Sequence, residues 1–213
     1  MHVRARKETV SLPRQKITAL KAKMIHAYDC AVQLEPQNPV PGSFEACVGG
    51  LGGTGFTKEA ADLINKISGD EGTSRDLLAV TWMNENHFVI RPGPNTNGRP
   101  GNIQRWDVGP FHINIGYTLG AVAEGRVNFG GLTVEGVFGY SFYRSDGTTP
   151  TDTFDGVPRE NGRMAARRLN SLGSNDRARA VNYAGQRNGP ARGRSYDAFA
   201  GQFATFFGCY RGN

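Results

Sequence analysis

Two carboxyl groups in this chain have positions that could support acid-base chemistry. Glu85 lies in the segment Asp76–Phe88, whose apolar residues recur with helical spacing. Leu78 and Glu85 are seven residues apart. At roughly 100° per residue they fall within about 20° of one face, and Trp82 lies one turn before Glu85 on the same side. A carboxyl group against apolar and indole surface loses solvation and holds its proton more tightly. That is what a general acid needs near neutral pH. The next acidic residue is Asp107, and the loop between the two contains none. Two carboxyl groups on different elements can cleave a glycosidic bond, one protonating the leaving oxygen, the other stabilising or attacking the oxocarbenium-like centre. Each residue also has an ordinary structural alternative. Glu85 is close enough to its helix end to bend into solvent. Asp107, just ahead of Gly109, suits a turn.

The elements that must position these groups are mostly helical. Helical spacing predicts helices over Arg14–Leu34 (Ile17, Leu20, Met24, Tyr28, Val32 on one face), Lys58–Ile67, Asp76–Phe88, Arg163–Leu172, Asp176–Ala184 and Ser195–Phe207. The third begins near Thr73 or Ser74, and Thr73-x-x-Asp76 reads as its capping box. Pro36, Pro39 and Pro41 must end the first helix. Residues Arg91–Arg105 form a polar Gly/Pro loop, Trp106–Tyr117 is a compact apolar segment, and Val127–Tyr143 suggests a hairpin. The expected class is mainly α (α+β), a helical core with a small irregular or β-containing lobe. The expected organisation is a basic tail at 1–13, a helical extension at 14–70 packed on the core, and a catalytic domain at 71–213 with an insert at 120–162.

Composition narrows the partners. The net charge of +6 favours polyanions without choosing among nucleic acid, anionic membrane and acidic wall polymers. Nine Arg and no Lys lie between Arg159 and Arg194. They read either as a solvated helix face or as a patch facing an anionic substrate. The three cysteines, Cys30, Cys47 and Cys209, cannot all pair internally; Cys30 with Cys47 could bridge, and buried free thiols suit equally. No run of 18 apolar residues suggests a membrane span, and no apolar segment follows the charged N-terminus as a signal peptide would require.

Several short motifs then carry a resemblance. Glu85-Asn86-His87-Phe88 resembles the Glu-Ser-x-Phe that opens the signature of lysozymes and soluble lytic transglycosylases, and Asn95-Thr96-Asn97-Gly98 the Asn/Gly loop after it. Asp107-Val108-Gly109-Pro110-Phe111-His112-Ile113-Asn114 resembles the Asp-x-Gly-[Ile/Leu]-[Leu/Met]-Gln-Ile-Asn of animal lysozymes. Ala180-Val181-Asn182-Tyr183-Ala184-Gly185 is similar to the Ala-Tyr-Asn-Ala-Gly of transglycosylases, and Tyr196 to the tyrosine closing their cleft. The matches keep the family order from Leu77 to Phe203. The departures are Asn86 for Ser, Pro110 for an apolar residue, His112 for the sugar-binding Gln, and the exchanged order of Asn182 and Tyr183.

The resemblance implies a lysozyme-like fold and cleavage of the MurNAc-GlcNAc β-1,4 bond of peptidoglycan. Glu85 would be the general acid and Asp107 the second catalytic carboxylate. Asn86, Gly109, His112, Asn114, Asn182, Tyr183, Gln186 and Tyr196 would bind substrate. It implies no cofactor and no metal, a monomer acting on glycan strands and anionic wall polymer, and a periplasmic, extracellular or phage-associated setting. If Asp107 faces Glu85, hydrolysis is expected; if Glu85 acts alone, a 1,6-anhydro product is expected. Two other classes compete: a non-catalytic wall-binding or phage structural protein of the same fold, and a nucleic-acid binder using the arginines. The second leaves the carboxylates unexplained and has no recognised motif. Gly50–Gly55 matches GxGxxG but follows no strand, so a glycine-rich loop is the better reading. Trp106, beside Asp107, is a candidate sugar platform.

Overall fold

The computed structural model describes residues 40–99, 101–139 and 153–212. They are mainly helical: α1 (Phe44–Val48), α2 (Lys58–Glu71), α3 (Arg75–Asn86), α4 (Ile115–Ala123), α5 (Val134–Phe138), α6 (Pro158–Asn170), α7 (Asp176–Tyr183) and α8 (Gly185–Cys209). A two-residue antiparallel pair, β1 (Asp107–Val108) and β2 (Ile113–Asn114), sets Asp107 opposite Asn114. Residues from Val40 onward form one compact unit that includes α2. The helix expected at Arg14–Leu34, and Cys30, lie outside the described residues.

Helix α3 is central. Leu77 to Met83 are all buried, a pattern expected of a helix enclosed by others rather than lying on a surface. It packs most extensively on α8 and also meets α2 and α7. Its start corrects the capping-box expectation. Ser74, not Thr73, is the N-cap, and the Ser74 hydroxyl donates to Asp176 instead of capping the helix. The helix ends at His87, whose left-handed backbone (φ 54°) lets its N–H reach Met83 O at 3.0 Å; Phe88 is left-handed too (φ 65°). Two successive non-glycine residues in this region are costly, and the strain sits just beyond Glu85.

Two further expectations change. Between Val127 and Gly139 there is a short helix, α5, and no strand. Val137 and Phe138 are adjacent buried residues where a half-buried strand would alternate, and Thr133 caps the turn by accepting from Gly136 N at 2.9 Å. The remainder of the expected hairpin lies outside the described residues. Helix α8 begins at Gly185, ten residues before the expected Ser195. It runs through Pro190, which forfeits a backbone N–H. Glycines allow the close α7–α8 approach: a Cβ on Gly189 or Gly193 would come within 3.0 Å of the Val181 side chain. Cys47 pairs with Cys209, not Cys30, joining α1 to the end of α8 across 162 residues.

Candidate active site

Glu85 is the penultimate residue of α3, with its side chain 16% exposed. Trp82, one turn earlier, is fully buried. Arg192 Nη2 of α8 donates to Glu85 Oε1 at 3.2 Å, and His112 Nδ1 lies 3.7 Å from Oε2. Burial pushes the Glu85 carboxyl up to about 7. Asp107 raises it further, while Arg192 and Arg168 oppose the shift. At neutral pH the group divides between acid and carboxylate. His112, left-handed at φ 44°, is pushed below the ordinary imidazole range by its own burial, so it faces Glu85 mostly neutral at pH 7.

Asp107 reaches the same cleft from β1. Both of its carboxylate oxygens accept amide hydrogen bonds at 2.9 Å, Oδ1 from Asn114 Nδ2 and Oδ2 from Asn97 Nδ2. Its backbone is also fixed, exchanging two 2.9 Å hydrogen bonds with Asn95. Asn114 in addition caps α4, its Oδ1 accepting from Tyr117 N. The Asn/Gly loop and the Asp-x-Gly segment thus meet on one side chain, and the turn-type position of Asp107 also points it into a cleft.

The cleft encloses about 430 Å³. Glu85, Asp107, His112 and Asn114 all line it. Asn182, Tyr183, Gly185 and Asn188 contribute from the α7–α8 junction, where Gly185 turns the chain with φ 71°. Tyr183 is buried, its hydroxyl donating to Phe111 O at 2.9 Å, and burial raises its phenol. A larger depression of about 640 Å³ lies beside Lys58, Asp62 and Arg159. Lys58 pairs with Asp62 there, and the Asp62 carboxyl lies below its ordinary range, held there by Lys58 and Tyr210 against the effect of burial.

Of the expected site residues, Glu85, Asp107, His112, Asn114, Asn182 and Tyr183 line the cleft. Four do not. Asn86 donates to Pro110 O at 2.6 Å and so ties the end of α3 to the β1–β2 turn. Gly109 (φ 74°) is required by that turn, because a Cβ would stand 2.4 Å from the Asn161 amide. Gln186 is exposed on α8. Tyr196 hydrogen-bonds Asp76 at 3.3 Å, away from the cleft. Trp106 is fully buried and donates to Arg99 O, so it is a core residue and not a sugar platform. Among the described residues, no three of His, Cys, Asp and Glu converge to hold a metal ion.

The arginine stretch proves mainly structural. Asp70 and Glu71 end α2, where helix polarity disfavours anions. Arg159 pairs with Asp70 (2.6 Å), and Arg163 (2.6 Å) and Arg167 (2.8 Å) pair with Glu71. Arg177 pairs with Asp197 and Arg179 with Asp176. Only Arg168 and Arg192 of the nine line the cleft. Sequence reasoning missed both of these as site residues, along with Tyr117 and Asn188. Asn161 was missed as well: fully buried, it accepts from Phe111 N and donates to the carbonyls of Val108 and Val137, holding the β1–β2 turn. Set between Glu160 and Gly162 in an arginine-rich helix, and ahead of the start expected at Arg163, it carried no signal in the sequence.

Comparison with protein-family models, with curated proteins and with solved structures finds no match.

Proposed function

We propose that this chain is a lysozyme-like glycosidase that cleaves the MurNAc-GlcNAc β-1,4 bond of peptidoglycan. One observation carries the reading. A buried carboxyl that holds its proton up to about pH 7 shares a cleft with a second carboxylate whose two oxygens are fixed by amide donors. The glycan lies in the cleft, and protonated Glu85 delivers its proton to the glycosidic oxygen. As that bond breaks, Asp107 stabilises or captures the positive anomeric carbon. Water completes the reaction, and Glu85 regains a proton from it. A catalytic helix end facing a short hairpin, in the motif order given above, supports the lysozyme-like reading of the helical fold. Because Asp107 is oriented into the cavity, the hydrolytic route is favoured over an anhydro-forming one in which Glu85 acts alone.

The test is clearing of purified peptidoglycan. Glu85→Gln keeps the side-chain shape and removes the proton donor, and it is expected to slow clearing by about 10²–10⁴-fold. Undiminished clearing by the variant would refute the role of Glu85.

A further inference from the structure

Arg168 differs from the other arginines of α6. Arg159, Arg163 and Arg167 each face Asp70 or Glu71. Arg168 is only 9% exposed, lines the cleft, and has no carboxylate partner among the described residues. Its guanidinium carbon lies 4.2 Å from the ring centre of Tyr117 and 4.5 Å from that of Tyr183. Nη2 donates to the Tyr183 carbonyl at 3.3 Å, while Nε is buried with no partner. Two aromatic faces attract a cation but do not neutralise it, and an unpaired buried charge is costly to keep. Arg192, which lines the same cleft, also has a buried Nε without a partner, and its Nη2 hydrogen bond goes to Glu85. When Glu85 carries the proton that catalysis needs, two guanidinium groups share the cleft with one anionic side chain, Asp107. The cleft is then short of one negative charge.

We propose that Arg168 and Arg192 form a carboxylate-binding subsite beside Glu85, so that the enzyme selects acidic glycans over neutral chitin-type ones. This rests on the glycosidase reading for its substrate class. A planar carboxylate matches the guanidinium fork, and the two tyrosine rings fix the Arg168 plane in advance. An acid bound by Arg192 would also weaken its hold on Glu85, favouring the protonated form when acidic substrate is present.

The test measures binding of three probes by titration: N-acetylmuramic acid, its methyl ester, and N-acetylmuramyl-L-alanine, in which the sugar's carboxyl is an amide and the acid lies one residue further out. Wild type is expected to bind the free acid at least about tenfold more tightly than the ester, the value of one charge-assisted contact. Muramyl-alanine binding like the acid would place the recognised carboxylate on the peptide stem; binding like the ester would place it on the sugar. Arg168→Met, which keeps an apolar stem between the rings, and the more exposed Arg192→Gln should each remove the preference. Equal affinity for acid and ester, no binding of either in the millimolar range, or a preference that survives in both variants would overturn the proposal. Clearing of peptidoglycan is followed in parallel. Clearing without acid preference sinks the subsite alone, and acid preference without clearing sinks the glycosidase reading alone.

Discussion

Arg192 and Glu85 are joined by a 3.2 Å hydrogen bond that works against the burial of the acid. Burial raises the proton affinity of Glu85, and the guanidinium pulls it back toward the ordinary carboxylate range. The two opposing effects leave the carboxyl at about 7. If Glu85 is the general acid proposed above, its acid form is the active one, and the rate should fall as pH rises through about 7. Arg192→Met removes the opposing charge and should move this alkaline limb to higher pH. A pH profile of clearing by both proteins checks the shift; an unmoved limb would mean that Glu85 does not set it.

The same carboxyl links stability to pH. Its folded value of about 7 lies above its ordinary 4.5. The contribution is therefore fully present below about pH 4.5 and is lost as pH rises through about 7. The shift corresponds to roughly 3 kcal/mol. Glu85→Gln, which cannot ionise, should be more stable than wild type at pH 8 and closer to it at pH 5. Denaturant melts at the two pH values test this. A variant equally destabilised at both would show that the carboxyl is not buried as described.

Asp107→Asn should leave the fold intact, because the backbone of residue 107 is held by Asn95 whatever its side chain. The Asn97 and Asn114 amides would then face a neutral group, part of which is itself a donor. A loss of about 10²–10³-fold in hydrolysis is expected if Asp107 stabilises developing positive charge. Full activity with an unchanged melting temperature would make Asp107 a turn residue only.

Helical spacing was enough to place Glu85 on a buried stripe, because a seven-residue separation leaves little freedom once the helix forms. Asp107 was legible as the next acid on a different element. The cations around them were not. Arg192 lies in a segment whose Gly185, Gly189, Pro190 and Gly193 read as loop, yet tertiary packing makes it helix: the two later glycines are needed for contact with Val181. Arg168 sits beside three arginines of similar appearance, and only the fold separates it from the pairs made to Asp70 and Glu71. Nor could spacing choose Cys209 over Cys30 as the partner of Cys47, since that bond joins distant parts of the chain.

The β1–β2 turn should be the structural weak point of the site. Gly109→Ala forces a side chain into a left-handed position, costing about 1–2 kcal/mol, and drives its Cβ toward the Asn161 amide. Asn161→Ala strands Phe111 N and the Val108 and Val137 carbonyls in the core, with an expected loss of roughly 3 kcal/mol or more. Thermal melts should show both variants destabilised. Wild-type stability in Asn161→Ala would contradict its bridging role.

A digest of purified peptidoglycan by wild type and Glu85→Gln, with the released fragments identified by mass spectrometry, bears on the catalytic assignment without intermediaries. Wild type should release muropeptides with reducing ends, and the variant none. Anhydro ends made only by wild type would keep Glu85 as the acid but contradict the hydrolytic role of Asp107. Equal release from both proteins, or none from either, would contradict the assignment of this cleft as a peptidoglycan glycosidase.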